Sequence, residues 1–207
     1  MGINTKMLTV DEIRKLEEGS ETRGVSKLQL MQNAGREIVS FLAGRFDLKG
    51  RKILVVCYHG NNGGDGLAAA TLLAEIAEVT ILFLGDESRL RKEAAVQYKK
   101  VEKNDLIQML PDYEEIDFDE YDIIIDAILG VGIAGDLSSP IASVIPLINS
   151  SRAFKLSVDV PSGLNPDTGE KASIVVEPDA IITFHDVKPG LAQYGEKVTV
   201  ADIGIPR

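Results

Sequence analysis

The sequence predicts an α/β protein, a three-layer αβα sandwich built on a mostly parallel sheet with two helices ahead of it. Two observations carry this expectation. Six apolar runs recur along the chain, and several are continuous, as strands covered on both faces must be. Helical patterns fall between them through the middle of the chain, and alternation of that kind argues for a parallel sheet with helices on both sides.

The elements follow in order. Thr9-Val-Asp-Glu12 has the form of a capping box, and Ile13 and Leu16 begin the apolar stripe of a first helix. A second helix is predicted over residues 26–45, with Leu28, Met31, Ile38, Val39 and Leu42 on roughly one side. Strands are predicted at residues 52–57, 79–84, 121–127, 154–159, 180–184 and 198–201. Further helices are predicted at 66–77, 88–101 and 140–150. Residues 103–120 are acidic and poorly periodic, and read as a short helix followed by a surface loop. No repeat, linker or low-complexity segment interrupts the chain, so residues 1–207 are predicted to form one domain.

Charge and cysteine content narrow the function. A chain of 207 residues can bury a real core, and its formal charge of −10 argues against nucleic-acid and anionic-membrane binding. A phosphorylated metabolite is still possible where backbone dipoles supply a local positive field. The single cysteine, Cys57, excludes an internal disulfide and a thiolate metal cluster, and reads as a packed thiol. No apolar run reaches membrane-spanning length and residues 1–20 are too charged for a secretory signal, so the expectation is a soluble, cytoplasmic protein.

Four constellations stand at or near the carboxyl ends of predicted strands, where ligands bind in open α/β sheets. The first is Gly60-Asn-Asn-Gly-Gly-Asp-Gly66, read as a glycine loop whose backbone can approach a ligand, followed by a helix N-terminus suited to anionic oxygen. Asp65 could cap that helix, but a simple turn leaves Asn61 and Asn62 unexplained. The second is Asp126 with Gly130-Val-Gly-Ile-Ala-Gly135. Its spacing matches the dinucleotide fingerprint, yet it follows a middle strand and does not open directly into a helix. Asp126 ends an apolar strand and needs a partner there, either a cation, backbone N–H groups or a buried hydrogen-bond network. The third is Asp159-Val-Pro-Ser-Gly-Leu164, where Asp159 is placed as a catalytic carboxylate or, alternatively, as the anchor of an Asx turn, with Ser162 nearby. The fourth is Lys188-Pro-Gly-Leu191, whose lysine either reaches the pocket or is a solvated loop residue. His59 and His185 share no metal-ligand spacing, which argues against zinc.

Taken together with Leu30-Met-Gln-Asn-Ala-Gly35 and Ala201-Asp-Ile-Gly-Ile-Pro206, these four elements resemble the NAD(P)H-hydrate epimerase family, over nearly the whole chain and in the same order. The resemblance implies a Rossmann-like fold with two N-terminal helices. It implies an isomerase that interconverts the R and S forms of NADHX and NADPHX, the cofactors hydrated at C6 of the nicotinamide ring. It further implies substrate contacts at Asn61, Asn62, Gly63, Gly64 and Asp65, and at Gly130, Val131, Gly132, Ile133, Ala134, Gly135 and Asp136. Asp159 is implied as a substrate contact; because inverting C6 calls for a positioned acid–base group, it is also our candidate for that role, and Lys188 is taken as a further contact. A potassium ion (K+) held by Asn62, Asp126 and Ser162 is also implied, and an oxygen-only ligand set suits a hard cation.

This chain has Tyr58-His59 where the family often has Gly-Pro, which bears on the pocket's rim. Many relatives continue into an ADP- or ATP-dependent dehydratase; here that partner is expected to be a separate protein. A homodimer through the N-terminal helices is the expectation from the family. A competing reading, a non-catalytic binding module of the same fold as found in RNA-decay scaffolds, would tolerate loss of Asp126 or Asp159. An ordinary NAD-dependent oxidoreductase is disfavoured, because no Ser-Tyr-Lys or His-Asp hydride-transfer set is present.

Overall fold

The computed structural model describes residues 7–110, 112–130 and 136–206. Among these, seven strands form one sheet: β1 Lys52–Cys57, β2 Glu78–Phe83, β3 Ile107–Leu110, β4 Ile123–Ala127, β5 Phe154–Val158, β6 Ala180–Phe184 and β7 Val198–Ala201. Every neighbouring pair is parallel, in the order β3-β2-β1-β4-β5-β6-β7. The helices are α1 Val10–Thr22, α2 Lys27–Ala43, α3 Asn61–Leu73, α4 Lys92–Val101 and α5 Ile141–Ser150. None is long and apolar enough to cross a membrane.

The continuous apolar runs are explained by burial on both faces. Ile53, Val55, Cys57, Ile123 and Ile125 enter one core with Leu30, Ile38 and Leu42 of α2 and Leu67, Ala70 and Leu73 of α3. Their alternates Leu54, Val56 and Ile124 enter a second core with Val144, Ile145 and Ile148 of α5. That division follows from the two-residue period of a strand. The capping box is present as read: Thr9 Oγ1 accepts from the Glu12 N–H at 3.3 Å, and Glu12 Oε2 accepts from the Thr9 N–H at 2.9 Å. Ser26 caps α2 by accepting from the Gln29 N–H at 3.2 Å.

Three expectations are corrected. The acidic stretch 103–120 contains β3, a half-exposed edge strand of four residues whose Val79↔Ile107 register continues the sheet. The predicted helix at 88–101 is a 3-10 turn, Glu87–Arg89, then a break at Leu90 and Arg91 before α4. Most consequentially, α3 begins at Asn61 rather than Gly66, so Asn61 to Asp65 form its first turns and Gly60 stands at the N-cap. Asp65 is therefore not the cap. The glycines there serve packing: a Cβ on Gly63 would lie 1.8 Å from the Tyr58 carbonyl oxygen, and one on Gly66 would lie 2.5 Å from the Ala127 Cβ. Only hydrogen at those positions lets α3 lie this close to β1 and β4.

Candidate functional site

Strand order reverses between β1 and β4, and ligands in open parallel sheets bind beyond the carboxyl ends of the strands at such a point. A cleft of about 580 Å³ opens there. The strand ends and the segments that follow them contribute Tyr58, Ile128 to Gly130, Asp159, Phe184 and Lys188; α3 contributes Asn61, Asn62 and Asp65. Helices α1 and α2 form another wall with Ile13, Arg14, Glu17, Lys27, Leu30 and Met31.

Asp159 and Lys188 meet at the floor. Lys188 is 1% exposed, and its ammonium donates to Asp159 Oδ1, to Thr183 Oγ1 at 2.7 Å and to the Phe184 carbonyl at 3.1 Å. It is a built-in group of the cleft, not a solvated lysine. Asp159 has φ 64°, the left-handed region that L residues other than glycine seldom adopt, and His185 at the end of the adjacent strand has φ 70°. Aspartate and histidine are among the side chains that tolerate this region best, and here it turns the chain out of both strands at the cleft.

Asp126 lies beneath the cleft, 1% exposed, and the hydrogen-bond network is its partner. Its Oδ2 accepts from Ser157 Oγ at 2.8 Å and the Ser162 N–H at 2.9 Å; its Oδ1 accepts from Ser162 Oγ at 2.5 Å. Burial still pushes its carboxyl above the ordinary range, against the opposing pull of those bonds from Ser162 and Ser157. Ser162 Oγ also accepts from the Leu129 N–H at 2.9 Å, tying the β5 loop to the β4 loop. The next residue, Gly130, stands over Asn62: a Cβ there would lie 3.3 Å from the amide carbon.

Asn62 is buried, and neither its Oδ1 nor its Nδ2 has a hydrogen-bond partner among the described residues. Orphaned polar atoms at such depth are rare and costly. An amide oxygen without a donor is the kind of hard oxygen ligand that a hard cation takes.

The cleft gathers both carboxylates and cations. Asp65 keeps its carboxyl well above the ordinary range because it is withdrawn from water and faces the negative charges of Asp159 and Glu17, with Lys188 opposing. Glu17 is raised for the same reasons, burial first and Asp159 second, against Lys188, Lys27 and Arg14. At the rim the Tyr58 and His59 rings stack with centroids 3.8 Å apart. Burial, then the nearby Arg89, hold His59 below its usual value.

Of the residues picked out from sequence, Asn61, Asn62, Asp65, Gly130, Asp159 and Lys188 line one cleft, with Asp126 and Ser162 under it. Gly63 and Gly64 are buried within α3, and Asp136 is exposed away from the lining. Val131, Gly132, Ile133, Ala134 and Gly135 lie outside the described residues. Glu17 and Lys27 went unnoticed in the sequence. The available signal for Glu17 was its position, four residues after Ile13 and beside Leu16 on the inward side of α1.

Fold and cleft together define a parallel α/β protein with a ligand site at its topological switch point. The family described as YjeF-related protein N-terminus matches residues 27–190, and the chain belongs to it. The NAD(P)H-hydrate epimerase of Nitrosopumilus maritimus is 36% identical over 206 residues, spanning 96% of this chain and 95% of that one. The bifunctional NAD(P)H-hydrate repair enzyme of Methanothermobacter thermautotrophicus is 39% identical over 199 residues, spanning 90% of this chain and 38% of that enzyme. The chain thus spans about two fifths of the bifunctional relatives. The crystal structure of the yeast protein ynu0 superposes with a TM-score of 0.85, covering 98% of this chain and 90% of that one at 21% identity, which shows the fold.

Proposed function

We propose that this chain is an NAD(P)H-hydrate epimerase, exchanging the R and S forms at C6 of the hydrated nicotinamide ring. The observation that supports this reading most is the buried Lys188–Asp159 pair on the floor of the cleft, in a chain aligned almost end to end with an epimerase.

Inverting C6 requires one of its bonds to oxygen or nitrogen to break and re-form from the other face, which a positioned acid–base group assists. Asp159 is that group. Its left-handed backbone and its bond from Lys188 fix the carboxylate at the floor. No side chain caps α3, so the N–H groups of its first turn, which lack intrahelical partners, are available to the substrate's pyrophosphate. Asn61, Asn62 and Asp65 sit beside that position, and Gly130 lines the cleft across from them as a further contact. Asn62, Asp126 and Ser162 would hold a potassium ion. When bound, the ion offsets nearby negative charge and orders the two loops, without redox work.

A separate dehydratase would consume the S form, and the relatives named as bifunctional repair enzymes are the longer chains of which this one spans about two fifths. The test is conversion of purified R epimer by the folded protein in potassium buffer, with the S form resolved by chromatography. Conversion well above the spontaneous rate is the expected result. Its absence would move the assignment to a non-catalytic binding module.

A further inference from the structure

Helix α1 has no part in the sheet, yet it forms one wall of the cleft. Ile13 and Glu17 share one face of it, at i and i+4, with Arg14 flanking them, and all three line the cavity. The helix is anchored at both ends. The Val10 N–H donates to Asp167 Oδ1 at 2.9 Å, in the segment that follows β5, and Arg23 donates to the Pro206 carbonyl at 2.7 Å. Glu17 is therefore held in a fixed relation to Asp159 from a separate wall, half-buried in the same cavity.

We propose that Glu17 is the second acid–base residue of the cleft, acting on the face of the hydrated ring opposite to Asp159. The proposal rests on the epimerase reading. In one direction the C6–O bond breaks, its electron pair leaves with oxygen, and the N1 lone pair forms N1=C6. The Glu17 carboxyl gives its proton to the departing oxygen, which leaves as water. A solvent water then adds to C6 from the other face, the N1=C6 pair returns to N1, and the released proton passes to the Asp159 carboxylate. Starting from the other epimer the two residues exchange roles. A single fixed carboxylate reaches one face only, so both directions need a group on each side.

The surroundings suit a proton donor. Burial and the charge of Asp159 favour the protonated form of Glu17, while Lys188, Lys27 and Arg14 oppose it. Asp65, from α3, faces the same space and is the rival for this role.

The test measures kcat and KM for R-to-S and S-to-R conversion across pH, with wild type, Glu17→Gln, Glu17→Asp and Asp65→Asn. Glu17→Gln, checked for folding by its Tm, should lose about a hundredfold or more in kcat with KM within about threefold. It should also lose the alkaline limb of the pH profile in the direction where Glu17 donates and the acid limb in the other, and Glu17→Asp should restore at least a tenth of the wild-type kcat. A Glu17→Gln kcat within about threefold of wild type, or a loss confined to KM, overturns the assignment, as does an Asp65→Asn variant that alone shows the kcat and pH effects. An inactive wild type defeats the epimerase reading and this proposal together, whereas an active wild type with an active Glu17→Gln defeats this one alone.

Discussion

The Lys188 ammonium donates to the Asp159 carboxylate, and its other two bonds go to Thr183 Oγ1 and the Phe184 carbonyl. Lysine has three donors, so each has a partner inside the protein. Withdrawing an ammonium from water costs several kcal/mol, which a complete acceptor set offsets at 1% exposure. The pair thus depends on both members, and Asp159, at 14% exposure, is the one left open to the cleft.

Lys188→Met should therefore cost about 3 kcal/mol of stability, the lower part of the range for breaking a buried pair, since Asp159 keeps some access to water. Adding Asp159→Asn to that variant should recover part of the loss. Urea unfolding of the two single variants and the double variant measures this. A Lys188→Met loss under about 1 kcal/mol would show that the pair is not a mutual dependence.

Gly63 and Gly19 should respond oppositely to alanine. The Cβ of Gly63→Ala would overlap the Tyr58 carbonyl, so that variant should melt far below wild type or fail to accumulate. A Cβ on Gly19, inside α1, meets nothing within 4 Å, so Gly19→Ala should gain about 0.5–1 kcal/mol from helix propensity. Similar melting of both variants would refute the placement of α3 on β1.

A potassium ion at Asn62 would appear as a difference in melting. Wild type should have a higher Tm in potassium chloride than in choline chloride at equal ionic strength, because a ligand bound only to the fold stabilises it. Asn62→Ala should abolish that difference and Ser162→Ala should reduce it. Identical wild-type melting in the two salts would remove the ion from the account.

Asp65 sets a pH dependence. Its raised carboxyl keeps a proton in the fold at pH values where the unfolded chain has released it. The folded state then binds more protons than the unfolded one between the ordinary carboxyl range and the raised value, and stability falls as pH climbs through that window. Asp65→Asn removes this effect. Its Tm should exceed that of wild type at about pH 8, and the gap should close towards about pH 4. A gap independent of pH would mean that Asp65 carries no such shift.

Much of the fold was legible in the sequence because its strands are buried on both faces. Ile53 to Cys57 and Ile123 to Ile125 announce themselves as unbroken apolar runs. Strand β3 did not, because an edge strand of four half-exposed residues within an acidic stretch has no strong period. The start of α3 was hidden for a different reason. Asn-Asn-Gly-Gly is a poor helix former, and its packing against Tyr58 overrides local preference. At the site, Asp126 could be read as needing a partner, yet which partner depended on Ser157 and Ser162 arriving from another strand. Glu17 was invisible because a charged residue on an N-terminal helix looks solvated until its helix is docked on the cleft.

The assignment of Asp159 is tested most directly by a coupled assay. An S-specific dehydratase with its nucleotide first consumes the S form from an R/S mixture of NADHX, leaving the R form to re-equilibrate slowly. Wild type added at that point should produce a fast second phase of NADH formation, and folded Asp159→Asn should slow it by about a hundredfold or more. A second phase from Asp159→Asn at the wild-type rate would contradict the account at its centre.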